Sequence, residues 1–239
     1  MLGCLKKVED QLKDVEEISG SSAGSMLGFL LTSGKSVSEI FDLSTKLDVG
    51  ELTKMNLKSF INSFGFIEHE PVKNKLIELW GGNPTFGELD KKLYVSAFCM
   101  NTKEVEYFSR DTHPDMHVVD AVCMSISVPF MFAGYRFNDK MYIDGGTNET
   151  IPALPFLNKN KGDVFCISIS CNYKNPINIK TFLDYIKCIV EYSHNIRNDY
   201  VVPGIFMDLS AYDLLNLKMS LEEKLKLFLV GLSAKQSVF

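Results

Sequence analysis

Gly20-Ser21-Ser22-Ala23-Gly24 and Asp144-Gly145-Gly146 are the two places in this 239-residue chain where residue type and spacing suit covalent chemistry. The first fits the G-x-S-x-G pattern, in which a serine on a tight strand-to-helix turn is held in a strained backbone with its hydroxyl outward. Glycines two residues to either side of Ser22 remove the side chains that would collide with the strand and the helix. The helix that follows brings backbone N–H groups and its positive end near the hydroxyl, where negative charge develops in acyl transfer. A chain of this length carries the pattern by chance about one time in ten, so its context decides. Here a strand-like Val15–Ser19 precedes the turn and an apolar helix, expected from about Ala23 to Ser33, follows it.

Asp144 follows the short apolar stretch Met141-Tyr142-Ile143. That places a carboxylate at the C-terminal end of a strand, the edge where sites collect in open α/β sheets. Taken alone, an Asp-Gly pair is ordinary turn chemistry. The four histidines raise a competing assignment, because Ser22, Asp144 and His194 follow the Ser…Asp…His order of α/β-hydrolases. His194 closes a helical stretch, His113 and His117 flank a loop and His69 precedes Pro71. None has a recognisable catalytic setting, which disfavours the triad, and on the residues alone Asp144 still reads as part of a turn.

Composition narrows the function classes. With 46% hydrophobic and 23% charged residues the chain is ordinary globular protein, long enough for one α/β domain. A net charge of -5 argues against a nucleic-acid partner, which needs a basic face. The six cysteines have no metal-ligand spacing and read as reduced core thiols; no metal or organic cofactor is implied. The start has no signal-peptide pattern, and no apolar run approaches the roughly 18 residues of a membrane span. A cytoplasmic protein, peripheral to membranes where it meets lipid, is the expectation.

The positioning elements follow from periodicity. Leu2, Leu5, Val8, Leu12 and Val15 recur at helical spacing. Residues 37–80 read as helical insertions broken near Gly65 and at Gly81-Gly82, and Thr85 with Glu88 makes a capping box. Leu93–Met100 and Val105–Phe108 form a hairpin around Asn101-Thr102-Lys103, Val118–Ile126 a helix, and Tyr135–Phe137 with Met141–Ile143 a second hairpin. Val164–Ser170 is expected as a strand buried on both faces. A helix over Ile179–His194, a strand near Val201–Leu209 and a C-terminal helix complete the pattern. In that last helix Leu214, Leu217, Leu221, Leu225 and Phe228 should pack on the body, docking on lipid being the other reading. Helices alternating with buried strands predict a three-layer α/β/α sandwich with a central, mostly parallel sheet.

In order and spacing these segments resemble the patatin-like phospholipase family over nearly the whole chain. The resemblance rests on the elbow at Gly20–Gly24, on Thr85-Phe86-Gly87-Glu88-Leu89 and on the Leu93–Phe108 hairpin. It continues through Ala121-x-x-x-Ser125-x-Ser127-x-Pro129-x-x-Phe132, Asp144-Gly145-Gly146 and Pro152. It implies a patatin-like fold and a lipid acyl hydrolase with Ser22 as nucleophile and Asp144 as proton acceptor, acting on phospholipid at a membrane surface. Two departures stand out. Thr150 replaces the asparagine usual two residues before the proline, and the resemblance begins inside the helix that follows the family's glycine-rich oxyanion loop. The expectation is therefore a single patatin-like domain over residues 1–239, truncated at its N-terminus. A catalytically silent lipid- or protein-binding module stays open as the second reading.

Overall fold

Leu93, Val95, Ala97 and Cys99 alternate along one stretch, the period of a strand with a buried face, and all four are buried at the centre of the largest sheet. The structure, a computed structural model, describes residues 1–149, 151–170, 179–180, 185, 202–212 and 218–238. Most of the expected helix over Ile179–His194 lies outside these residues, as do His194, Thr150, Cys171, Cys188, Leu214 and Leu217.

In chain order the elements are α1 (Leu2–Lys7), β1 (Glu17–Gly20), α2 (Ala23–Leu31), α3 (Val37–Lys46), α4 (Val49–Leu52), α5 (Leu57–Ser63), β2 (Gly65–Ile67) and α6 (Glu70–Trp80). Then follow β3 (Lys92–Cys99), β4 (Glu104–Phe108), α7 (Val118–Ser125), β5 (Phe130–Phe132), β6 (Tyr135–Phe137) and β7 (Lys140–Asp144). The described elements end with β8 (Cys166–Ser170), β9 (Pro203–Asp208), α8 (Leu221–Ser233) and β10 (Gln236–Val238).

The fold is α/β, as expected, with a mixed main sheet. β1 joins β3 in parallel, while β4 and β7 pair with β3, and β6 with β7, in antiparallel fashion. A second sheet runs β10-β9-β8, with β8 and β9 parallel, and a small parallel pair joins β2 to β5. Local chemistry explains the turns. Asn138 and Asp139 both take positive φ, the requirement of a two-residue hairpin of type I′. Reciprocal capping boxes open α3 (Ser36 with Glu39), the turn after Thr85 (with Glu88) and α8 (Ser220 with Glu223).

Two cores result. The larger packs Phe29, Leu76, Phe86 and the inner face of α7 against β3 and Phe108. The smaller joins Cys4 and Val8 to Ile205, Met207 and Leu209, with α8 across α1. This second core corrects the first helix, which stops at Lys7 and continues as a 3₁₀ turn over Glu9–Lys13. Val8 is drawn into that core, and the Lys91 ammonium takes the carbonyls of Leu12 and Val15, ending the helical run. β8 also differs from expectation. Cys166 to Ile169 are half-buried rather than sealed on both faces, and among the described residues the strand pairs only with β9. α8 packs through Leu227, Phe228, Val230 and Gly231, while Leu221 and Leu225 face outward.

Candidate active site

The serine turn has the strain its motif demands. Ser22 caps α2 with φ 52° and ψ -126°, a conformation that L residues seldom adopt. Its two glycines are not equivalent. A Cβ on Gly20 would lie 2.6 Å from the backbone of Gly24 and Ser25, whereas one on Gly24 would meet only the tip of Met1, at 3.5 Å. Gly20 is thus where strand and helix touch. The carbonyl of Ser22 accepts from the Ser25 hydroxyl at 2.6 Å and from the N–H groups of Ser25 and Met26. The N–H of Ala23, first residue of the helix, has no partner among the described residues, as is usual for a first-turn donor.

Asp144 closes β7 and is fully buried. One carboxylate oxygen accepts the Gly146 N–H at 2.8 Å, and the backbone N–H of Asp144 donates to the Ser127 carbonyl at 3.0 Å. Gly145 is tight by necessity, since a Cβ there would sit 2.6 Å from the Ser96 carbonyl. Beyond it, Glu149 accepts the Tyr107 hydroxyl at 2.5 Å, and burial raises its carboxyl above the usual range despite that bond. Pro152, part of the family resemblance, gives its carbonyl to the Ser19 hydroxyl at 2.7 Å, returning this loop to β1.

Register brings the two segments together. Val95 is opposite both Gly20 and Phe108, and Ala97 is opposite both Asp144 and Glu106. A strand residue has one neighbour on each edge. With β4 holding one edge, β1 and β7 must share the other, running toward each other. Their ends face across two residues of β3, roughly 7 Å at the usual strand rise. The turn carrying Ser22 leaves one end, and Asp144 forms the other. Two hydroxyls at this junction, those of Ser21 and Ser96, are buried without a hydrogen-bond partner among the described residues.

The end of α7 ties both sides. The Ser22 N–H donates to the Ser125 hydroxyl at 2.8 Å, and Ser127, two residues on, holds Asp144. Sequence reasoning placed both serines in a motif without giving them a role; the signal was the Ser-x-Ser spacing itself. It gave no hint of His69, whose Nε2 lies 2.8 Å from the Ser127 hydroxyl. That hydroxyl spends its proton on the Cys123 carbonyl at 2.7 Å, so Nε2 carries the hydrogen. Burial, with Lys73 nearby, lowers the His69 pKa to about 4 and keeps the ring neutral. The His113 ring packs on Phe108 at a tilt, with 4.9 Å between centroids, and His117 bonds the Asn83 carbonyl.

With this geometry in hand, likeness to known proteins becomes informative. The model of the patatin-like phospholipases matches residues 1–157, which include the serine turn, the Ser125–Ser127 stretch and the Asp-Gly-Gly segment. The chain belongs to the patatin-like phospholipase family. Over its full length it is 26% identical to uncharacterized protein R571 of Acanthamoeba polyphaga mimivirus, covering 89% of that protein. It is 28% identical over 177 residues to probable lipid hydrolase 463L of Invertebrate iridescent virus 6, a match to 66% of this chain and 60% of the relative.

Two solved structures share the patatin-like fold over the whole chain. These are VipD from Legionella pneumophila (TM-score 0.57, 14% identity) and the type III effector protein ExoU (TM-score 0.51, 16% identity). The chain spans 65% and 52% of their lengths, so each carries a large part with no counterpart here. Membership of this family supports lipid hydrolysis as the chain's general activity. Among the described residues no helix is long and apolar enough to cross a membrane.

Proposed function

We propose that the protein hydrolyses fatty-acyl esters of phospholipids through an acyl-enzyme, with Ser22 as nucleophile and Asp144 as proton acceptor. The observation that carries this reading is the meeting of β1 and β7 on one edge of β3, with the strained serine turn on one end and a buried carboxylate on the other. Asp144 takes the Ser22 hydroxyl proton as Oγ bonds to the ester carbonyl carbon. The tetrahedral intermediate then expels the alcohol, which recovers that proton from Asp144. Water next gives a proton to Asp144 and attacks the acyl-enzyme, and Ser22 leaves reprotonated with release of the fatty acid. The Ala23 N–H at the positive end of α2 supplies a donor for the oxyanion.

Release of labelled fatty acid from phospholipid, compared between the wild type, Ser22→Ala and Asp144→Asn, tests the reading. Each substitution should lower turnover by at least about 10³-fold, with circular dichroism unchanged. Hydrolysis persisting in either variant would remove that residue from the mechanism.

A further inference from the structure

The segment from Met55 to Phe64 reverses the usual arrangement of a surface helix. The positions of α5 turned to the body hold Ser59, Phe60 and Ser63, with Phe60 stacked on Phe66 at 4.4 Å. The outward positions hold Leu57 and Ile61, 67% and 69% exposed, flanked by Met55 at 56% and Phe64 at 58%. A helix that only fills a core shows the opposite pattern. Charge sharpens the contrast. Between Glu51 and Glu68 the chain has Lys54 and Lys58 and no acidic residue, although the whole protein carries a net charge of -5. Both lysines are exposed beside the apolar side chains.

This segment is joined to the candidate site. α5 packs on β2, and β2 pairs with β5 so that Gly65 lies opposite Phe130. Phe130, itself 37% exposed, adds to the apolar surface next to Phe64, and it follows Ser127 by only three residues. A shallow groove of about 590 Å³ runs beside α5, with Lys58, Asn62 and Arg136 in its wall together with Glu68 and Glu70. Glu68 is engaged by the Asn56 side chain at 2.9 Å.

We infer that Met55, Leu57, Ile61 and Phe64 form an insertion patch that seats the protein on an anionic lipid bilayer, with Lys54 and Lys58 at the level of the head groups. Large apolar side chains buried at the head-group boundary, with lysines reaching back to anionic lipid, are the interfacial arrangement for which this composition is suited. A second outward apolar stripe, Leu221, Leu225, Leu229 and Leu232 on α8, lacks this match, since Glu222 and Glu223 offset Lys224 and Lys226 there and the Lys224 ammonium is taken by the carbonyls of Ser44 and Leu47. The inference extends the phospholipid-hydrolase reading, but membrane binding can be measured without turnover.

The test is co-sedimentation with sucrose-loaded phosphatidylcholine–phosphatidylglycerol vesicles, run on the full chain carrying Ser22→Ala so that hydrolysis does not enter. In that background, Leu57→Asp with Ile61→Asp should lower partitioning by at least about tenfold. Lys54→Glu with Lys58→Glu should lower it on anionic vesicles and leave the weak binding to pure phosphatidylcholine unchanged. Leu225→Asp with Leu229→Asp should have little effect. The single variants Leu57→Asp and Ile61→Asp stand in if the pair unfolds. With Ser22 intact, the patch variants should keep their activity on a water-soluble short-chain ester. A Ser22→Ala protein that still hydrolyses the short-chain ester while binding vesicles through the patch would count against the dyad reading and spare the patch. Patch variants that bind vesicles as the parent does would overturn the patch. Absence of vesicle binding by the parent protein, or loss of binding only in the α8 variant, would overturn the patch. So would a dimer in gel filtration that the patch variants dissociate, because it would show a second copy as the occupant.

Discussion

The hydroxyl of Ser125 accepts the backbone N–H of Ser22 at 2.8 Å, across 103 residues of chain. Ser125 is fully buried, so the bond is shielded from water. It holds the one residue of the turn whose φ is positive.

Ser125→Ala should leave that N–H without its partner and let the strained turn relax. The cost is about 1–3 kcal/mol, the usual penalty for an orphaned buried donor. Urea unfolding should register it as a lower midpoint. In kinetics, kcat should fall by about one to two orders of magnitude with KM nearly constant, since alignment of the nucleophile is lost rather than substrate binding. An unchanged kcat would show that the turn holds its shape without Ser125.

The two motif glycines should respond differently to alanine. Gly20→Ala forces a Cβ into backbone at 2.6 Å, where no flexible side chain can give way. Overpacking of this kind costs about 1–3 kcal/mol and displaces the turn, so activity should be lost. Gly24→Ala meets only the end of Met1 at 3.5 Å and gains helix propensity. It should keep its melting temperature and most of its activity, which differential scanning fluorimetry and ester hydrolysis can show together.

His69 should make stability depend on acid. Its folded pKa, about 4, lies below the value near 6.5 of an unfolded chain. Above pH 6.5 neither state binds the proton and no cost exists. As pH falls toward 4 the unfolded chain takes up a proton that the folded one refuses, and stability drops by on the order of 3 kcal/mol. His69→Gln keeps a donor for the Ser127 hydroxyl and cannot titrate. Its unfolding free energy should therefore fall less steeply than that of the wild type between pH 6.5 and 4. Parallel slopes would contradict a buried neutral ring.

What the sequence made legible was local. The serine turn, the two hairpins, the Thr85–Glu88 capping box and the stop of α2 before Gly34 all depend on residues a few positions apart, and each appears where expected. What it hid was register and distant packing. Nothing in Met141–Asp144 says that β7 shares an edge of β3 with β1, and nothing near His69 points to Ser127. The first helix failed for the same reason. Its periodicity runs on to Val15, but contacts with α8 and Lys91 end it earlier. In α8 the expected packing leucines point outward, because a helix with apolar residues on two faces does not reveal which one meets the body.

The pairing of Ser22 with Asp144 is the centre of this account, and covalent labelling tests it most directly. A fluorophosphonate bonds only to an activated serine hydroxyl, and peptide mapping reports which one. The wild-type chain should carry the probe on Ser22, at a rate above that of every other serine. Ser22→Ala should carry none there, and Asp144→Asn, with its fold intact, should label at least about 10²-fold more slowly for want of a base. Labelling of Asp144→Asn at the wild-type rate, or a probe found on another serine, would contradict the assignment.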